Sequence, residues 1–179
     1  MAARSVKCIA VVGAESTGKT SLIQALAQQV PSLVVPESLR DFVDRTGRPP
    51  TQDEQILIMQ SQIDAELLAK QQASDMGPEV VWCDTSAIMT AVYSEFYFGD
   101  ESLYPAALAH HQMFAMTLFC QPDLSWVADP GQRDGPEARA AIHALLDERL
   151  QSVLSPVVPI VGEGDSRVRL ALRAIAALH

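Results

Sequence analysis

The sequence contains a complete Gly-x-x-x-x-Gly-Lys-[Ser/Thr] motif, Gly13-Ala14-Glu15-Ser16-Thr17-Gly18-Lys19-Thr20. A β-branched apolar run precedes the motif and a helical apolar pattern follows it, which is the context of a phosphate-binding loop (P-loop). In such a loop, successive backbone N–H groups point inward at phosphate oxygens, and the following helix adds the positive end of its dipole. The motif therefore predicts a P-loop α/β fold that binds the phosphates of a nucleotide.

The side chains of this loop have separate expected roles. We expect Lys19 to bridge the β- and γ-phosphates and the Thr20 hydroxyl to coordinate Mg²⁺. The residues predicted to contact the nucleotide are Gly13, Glu15, Ser16, Thr17, Gly18, Lys19, Thr20 and Ser21.

Short apolar runs alternate with longer stretches of helical period along the rest of the chain. Strands are predicted at 6–12, 33–35, 80–83, 117–120 and 157–161, and helices at 19–29, 51–72, 86–97, 104–115, from 136 onward and around 168–178. This alternation is typical of a parallel sheet with helices on both faces. We expect a single α/β domain over residues 1–179 with a five-stranded, mostly parallel sheet.

Four of the predicted helices carry an apolar stripe that should face the core, among them the helix at 51–72 and the helix that begins near 136. The helix at 51–72 begins with the spacing of a capping box, Thr51 and Glu54, and its stripe is Ile56, Met59, Ile63 and Leu67. The stripe of the helix that begins near 136 is Ala138, Ala141, Ile142, Leu145 and Leu146.

Residue counting narrows the class of P-loop protein. The guanine-reading motif of GTPases is Asn-Lys-x-Asp, and none of the lysines Lys7, Lys19 and Lys70 follows an asparagine. Hydrolytic motors usually carry a second acid after the aspartate that ends a neighbouring strand, whereas Thr85 follows Asp84 here. A small-molecule kinase is the P-loop class that fits best.

Two carboxylates follow predicted strands at the edge of the sheet where open α/β proteins bind ligands. Asp84 ends the third strand and is a predicted Mg²⁺ ligand, with capping of the next helix as the alternative. Glu37 follows the second strand, and Arg40 lies one helical turn further on. A kinase benefits from a carboxylate that accepts the proton of the acceptor hydroxyl, so either Glu37 or Asp84 is the predicted base. We expect Glu37 and Arg40 to bind the acceptor; the alternative is an ion pair that orders a loop.

A polar segment, approximately residues 121–136, interrupts the alternation with three prolines and two glycines and is predicted to be a lid. Guanidinium groups of a lid stabilise the charge that spreads over a γ-phosphate during transfer. Arg133 and Arg139 are therefore candidate catalytic residues, and solvated arginines are the alternative. Trp126 and Asp129 could stack on a flat ring and bind sugar hydroxyls, although Trp126 could equally be a core anchor.

The composition argues against several partners. The chain has 22 acidic and 13 basic residues, a formal net charge of −9, which disfavours DNA, RNA and anionic membranes as main partners. Its three cysteines are far apart in apolar runs, which predicts buried, reduced side chains. Since no apolar stretch approaches transmembrane length, we expect a cytoplasmic protein, which could form a homodimer.

Four segments together resemble the ribosylnicotinamide kinase domain of the bacterial NAD-biosynthesis regulators, and the similarity extends over nearly the whole chain. The segments are residues 13–22, 36–41, 83–85 and 126–133. The resemblance implies ATP-dependent phosphorylation of nicotinamide riboside at its 5′-hydroxyl to give NMN in NAD salvage, with ATP and Mg²⁺ as cofactors.

The resemblance also implies roles for individual residues. Lys19 and Thr20 would be the phosphate and Mg²⁺ ligands, Glu37 and Asp84 the acids near acceptor and metal, and Arg133 the lid arginine. Two alternatives stay open, namely a kinase for another nucleoside or small hydroxyl metabolite, and a switch or sensor ATPase whose ATP binding alters a partner interface.

Overall fold

The computed structural model describes residues 6–126 and 135–178 of the chain. The strands are β1 (Lys7–Val12), β2 (Ser32–Val35), β3 (Val80–Asp84), β4 (Met116–Cys120) and β5 (Val157–Ile160). The helices are α1 (Lys19–Ala27), α2 (Ser38–Thr46), α3 (Gln52–Met76), α4 (Ala87–Phe98), α5 (Tyr104–His111), α6 (Pro136–Leu150) and α7 (Asp165–Ala176). Within the described residues, no helix combines the length and the apolar character needed to cross a bilayer.

The strands form one parallel sheet in the order β2-β3-β1-β4-β5. The strand that leads into the P-loop, β1, is therefore central, between β3 and β4. Val11 of β1 pairs with Asp84 of β3, which places Asp84 beside the last residues before the P-loop. The prediction of a five-stranded, mostly parallel sheet is confirmed.

Both faces of this sheet are buried. On β1, Cys8, Ala10 and Val12 belong to the core layer on the side of α3, α4, α5 and α6, whereas Ile9 and Val11 belong to the layer that includes α1 and α7. The alternation follows from the pleat of the strand. Burial on both faces is also the reason that the strands are nearly continuous apolar runs in the sequence.

The three cysteines, Cys8, Cys83 and Cys120, are buried and form no disulfide. Burial raises the pKa of Cys8 and of Cys120 to about 11, so little thiolate forms at neutral pH. The prediction of buried, reduced cysteines is confirmed.

Helix α2 is absent from the sequence prediction, and several predicted helix ends differ from the observed ones; α3, predicted to end at residue 72, reaches Met76. None of the residues of α2 is buried, although Leu39, Phe42 and Val43 have helical spacing.

The helix predicted to reach residue 115 ends at His111, where Met113 and Phe114 donate their N–H groups to the carbonyls three residues before them. These tight turns lead the chain directly into β4.

The buried stripe of α3 differs from the predicted one, although the capping box of Thr51 and Glu54 is confirmed. Ile56 and Leu67 are 53% and 48% exposed, so their assignment to the core is wrong. The buried residues of α3 are Gln55, Ile58, Met59, Gln62, Glu66, Ala69 and Ala73. Polar residues occupy this stripe because two of them form hydrogen bonds that reach α2 and α5.

The stripe of α6 is partly as predicted. Ile142 and Leu146 are buried, whereas Ala141 is exposed. The buried row continues through Arg139 and Leu150 instead. A polar residue again takes a core position that an apolar pattern cannot reveal.

The predicted lid lies only partly within the described residues, because 127–134 fall outside them. Residues 121–126 form neither helix nor strand. The lid stays a prediction.

A buried histidine makes the stability of this fold depend on pH. His111 is 1% exposed, its Nε2 lies 2.8 Å from Thr117 Oγ1, and its Nδ1 has no hydrogen-bond partner among the described residues. Burial, aided by the charge of His110, lowers the pKa of His111 from 6.5 to about 4. The unfolded chain therefore takes up a proton that the folded protein does not, and the free energy of unfolding falls as pH falls through this window.

We expect His111→Gln, which keeps a polar side chain but cannot titrate, to remove this part of the acid sensitivity. Between pH 7 and pH 4 the wild-type protein should lose about 3 kcal/mol more unfolding free energy than the variant, as linkage gives for a pKa lowered from 6.5 to about 4. Urea denaturation of both proteins at the two pH values measures the difference. Equal losses in the two proteins would contradict the assignment.

Candidate functional site

The P-loop connects β1 to α1. The space around the loop is too small for a side chain at two of its positions, Gly13 and Gly18. A Cβ on Gly13 would lie 2.8 Å from the carbonyl oxygen of Cys120 and 2.7 Å from Thr17 Oγ1. Gly18 has a φ of 77°, in the left-handed region, and a Cβ there would lie 2.9 Å from Leu124 Cδ1. The absence of side chains at these positions allows the end of β4 and the segment after it to approach the loop.

Hydrogen bonds inside the loop fix its curvature. Thr17 Oγ1 donates to the carbonyl oxygen of Ala14 at 2.7 Å, and Lys19 Nζ donates to the same oxygen at 3.2 Å. Ser16 has a φ of 55°, a conformation that is uncommon outside glycine and is often found at functional turns. Because the Thr17 side chain is fully buried, it supports the loop, and a bound phosphate would meet the backbone of this residue.

Arg167, to which no sequence pattern assigns a role, holds the P-loop from the side of the protein core. It is 3% exposed, Nη1 donates to the carbonyl oxygen of Thr17, and Nε donates to that of Gly162 at 2.7 Å. The Thr17 carbonyl and the Gly18 N–H belong to one planar peptide group and point in opposite directions. Anchoring the carbonyl therefore directs the Gly18 N–H away from the arginine.

The same guanidinium connects the P-loop to the segment that follows β4. Nη2 donates to the carbonyl oxygen of Gln121 at 2.9 Å and to the carboxylate of Asp123. Asp123 Oδ2 also accepts the Gly162 N–H at 2.6 Å. Burial alone would raise the pKa of Asp123, but these hydrogen bonds outweigh it and lower that pKa. The P-loop, the end of β4 and the turn before α7 are thus joined at one charged cluster.

Asp84 lies at the carboxyl end of β3, next to the first turn of α1. Thr20 Oγ1 donates to Asp84 Oδ2 at 2.5 Å. Asp84 is 6% exposed, and its Oδ1 has no hydrogen-bond partner among the described residues. The hydroxyls of Thr85 and Ser86 are likewise buried without a partner there, and Thr85 has a φ of 72°, which is rare for a β-branched residue.

These oxygen atoms fit the requirements of Mg²⁺. The ion prefers hard oxygen ligands and is usually held by one or two protein groups together with substrate phosphates. A buried carboxylate oxygen without a partner costs free energy unless water or a cation satisfies it. The side chains that would hold the ion are Thr20 and Asp84, as the sequence predicts; the assignment stays a prediction.

A cavity of about 310 Å³ lies in front of the P-loop. Its lining residues are Ser16, Gly18, Lys19, Thr20, Ser21, Glu37, Arg40, Leu124 and Ser125. Glu37 is the N-cap residue of α2, and Arg40 lies in the first turn of that helix. The structure therefore brings the P-loop together with the two residues that the sequence predicts for the acceptor, in a volume typical of a small-molecule site.

Of the site residues predicted for the lid side, the two that lie within the described residues do not line the cavity. Trp126 is partly buried and is not among the residues that line the cavity. Arg139 is 6% exposed, and its Nη2 donates to the carbonyl oxygen of Leu124 at 2.9 Å, so it contacts the backbone of a cavity residue. Asp129 and Arg133 lie outside the described residues. The roles predicted for these side chains stay predictions.

The fold and the loop define a P-loop α/β protein with the architecture of nucleoside and nucleotide kinases. A family model described as an AAA domain matches residues 8–167, and the chain belongs to this family.

The relatives agree with the resemblance seen in the sequence. The chain is 27% identical over 152 residues to the trifunctional NAD biosynthesis/regulator protein NadR of Salmonella typhimurium, a match that covers 82% of this chain and 36% of NadR. A crystal structure of NadR in complex with NR superimposes with a TM-score of 0.77 at 25% identity, covering 95% of this chain and 50% of that one. A second NadR structure, with NAD and AMP-PNP, gives 0.76 at 22% identity, covering 95% and 48%. The chain thus spans half, or less, of the length of these NadR proteins.

A more distant structure supports the fold alone. Deoxyadenosine kinase from M. mycoides with bound dATP superimposes with a TM-score of 0.65 at 10% identity, covering 96% of this chain and all of that one.

We expect Asp84→Asn to weaken Mg·ATP binding specifically. The amide can still accept the Thr20 hydroxyl but carries no charge for the cation, so the Kd for Mg·ATP should rise about tenfold or more. In EDTA the Kd of the variant for ATP should stay within about twofold of the wild-type value, because no Mg²⁺ is then present for Asp84 to bind. Calorimetric titration measures both constants.

The matched control for this experiment is Asp147→Asn, an exposed residue of α6, which should change neither constant. If Asp84→Asn raised the Kd for ATP equally with and without Mg²⁺, Asp84 would act through the fold of the loop and not through the cation.

Proposed function

We propose that this protein transfers the γ-phosphate of ATP to the 5′-hydroxyl of nicotinamide riboside, which yields NMN and ADP. The proposal depends chiefly on the cavity that the P-loop shares with Glu37 and Arg40. The similarity to NadR, one structure of which contains NR, supports the choice of acceptor. The NadR structure with AMP-PNP supports ATP as the donor.

The P-loop would serve the donor side of the reaction. Backbone N–H groups and the α1 N-terminus provide positive potential for the β- and γ-phosphates. Lys19 lies on the cavity wall, and its ammonium group would exchange the Ala14 carbonyl for phosphate oxygens. Mg²⁺, when bound, would neutralise charge on the same phosphates.

Glu37 is the better candidate for the base. It lines the cavity, whereas Asp84 is 6% exposed and already accepts the Thr20 hydroxyl at 2.5 Å. The acceptor hydroxyl would attack the γ-phosphorus while the bond to the bridging β–γ oxygen breaks. Its proton would pass to the Glu37 carboxylate, and ADP would leave. Arg40, one helical turn away on the same wall, would bind the acceptor.

The test is transfer by the purified protein with Mg·ATP and nicotinamide riboside, beside a panel of other nucleosides. We expect NMN by mass spectrometry and one ADP for each NMN formed. Phosphorylation of a different nucleoside would keep the kinase and replace the acceptor. ADP release that ignores every acceptor would contradict the proposal and favour an ATPase sensor.

Substitutions test the proposed roles of Lys19 on the phosphate side and of Glu37 on the acceptor side separately. Lys19→Ala should lower kcat about 100-fold or more, because a donor to the developing phosphate charge is lost. Glu37→Gln should lower kcat by a similar factor, as the loss of a general base does. Asp44→Asn, an exposed carboxylate further along α2, should leave kcat within about twofold of the wild-type value, as surface changes usually do.

A further inference from the structure

A series of buried and partly buried hydrogen bonds reaches from the interior to the proposed acceptor side of the cavity. The backbone N–H of Ser38, the first residue of α2, donates to Gln62 Oε1 at 2.9 Å. Gln62 Nε2 donates to Glu66 Oε1 at 2.8 Å, and Glu66 Oε2 lies 2.6 Å from His110 Nε2. Gln62 is 1% exposed and Glu66 is fully buried. The series therefore runs from α5 through α3 to the N-terminus of α2.

This series of hydrogen bonds satisfies an N–H group at the start of α2 from outside the helix. The first four N–H groups of a helix have no partner within it, and an N-cap side chain satisfies only that of the second or third residue. In α2 the N-cap is Glu37, whose side chain makes no capping hydrogen bond. Gln62 from α3 accepts the Ser38 N–H instead. The position of Glu37 is thereby tied to α3 by the adjacent residue.

The donor and acceptor roles within this series of hydrogen bonds are also fixed. A carboxylate only accepts hydrogen bonds, so Glu66 Oε1 requires the NH₂ group of Gln62 on its side. The carbonyl oxygen of that amide must then face Ser38. His110 pairs with the other carboxyl oxygen, so a proton shared within that pair lies at Oε2 and leaves Oε1 an acceptor. Burial raises the pKa of Glu66, while its bonds to His110 and Gln62 oppose this rise.

We propose that Gln62, Glu66 and His110 are positioning residues for the acceptor: they hold the first turn of α2, and with it Glu37 and Arg40, in the geometry that binds the acceptor. This proposal rests on the proposed function, which identifies the side of the cavity with Glu37 and Arg40 as the acceptor site. None of the three lines the cavity, so they would act through Ser38 and would leave the P-loop unchanged.

Helix α3 itself supplies a matched control. Gln60 Nε2 donates to Asp64 Oδ1 at 2.8 Å on the exposed side, with the same spacing and donor as the buried pair. A change at Gln60 thus repeats the loss of the amide without touching α2.

The kinetic test uses the full chain with Mg·ATP and nicotinamide riboside, or whichever nucleoside of the panel is turned over. Gln62→Met, which keeps the length of the side chain but cannot accept the Ser38 N–H, should raise the KM for the acceptor about tenfold. The KM for ATP should stay within about twofold, because the P-loop is unaltered. Gln60→Met should change neither KM.

Rescue by a conservative change adds a second criterion. Glu66→Gln can present its carbonyl oxygen to Gln62 and its NH₂ group to a neutral His110, so its KM for the acceptor should stay near the wild-type value. Glu66→Leu should behave like Gln62→Met. An unchanged acceptor KM in Gln62→Met, or an equal rise in the KM for ATP, would overturn the proposal.

Amide hydrogen exchange distinguishes failure of this inference from failure of the proposed function. The Ser38 amide should exchange about tenfold faster in Gln62→Met than in the wild type, with α1 amides unchanged. If the wild-type protein phosphorylates no nucleoside, the proposed function fails, and this exchange rate alone decides whether Gln62 holds α2. Unchanged exchange at Ser38 would overturn the inference in either case.

Discussion

A P-loop can present its backbone N–H groups to phosphate only if its carbonyl groups are held on the opposite side. In this protein the carbonyl of Ala14 accepts the Thr17 hydroxyl and that of Thr17 accepts the buried Arg167 guanidinium. Gly13 allows the end of β4 to lie against the loop without a clash. The central position of β1 in the sheet, and the charged cluster around Arg167, therefore both contribute to the shape of a loop eight residues long.

The two walls of the cavity offer different chemical groups to a ligand. The wall formed by the P-loop would bind phosphate mainly through backbone N–H groups, which suits a group that every nucleotide carries. The proposed acceptor wall carries Glu37 and Arg40 at the start of α2, a short helix without buried residues whose first N–H group donates to Gln62 of α3. If the proposed function holds, changes in α2 and in the buried polar stripe of α3 would alter acceptor binding and leave the phosphate site unchanged.

Much of this arrangement can be predicted from local sequence patterns. The P-loop, the strands and the position of Asp84 can each be predicted from a run of neighbouring residues, and Glu37 can be predicted because it lies two residues after a strand. Arg167 cannot be found in this way, since it lies 150 residues from the carbonyl of Thr17. Apolar periodicity misassigns α3 for a physical reason: Glu66 is buried through paired hydrogen bonds, which a hydrophobicity pattern cannot represent, while Ile56 and Leu67 face outward.

We infer that the backbone N–H groups of residues 15–20 bind the phosphates of a nucleotide. Heteronuclear NMR of the backbone amides during titration with Mg·AMP-PNP tests it most directly, because it reports on each N–H separately. We expect large, saturable shifts and slowed exchange for the amides of 15–20, with small changes in α5. Saturable binding that leaves these amides unshifted, or no binding at all, would contradict it.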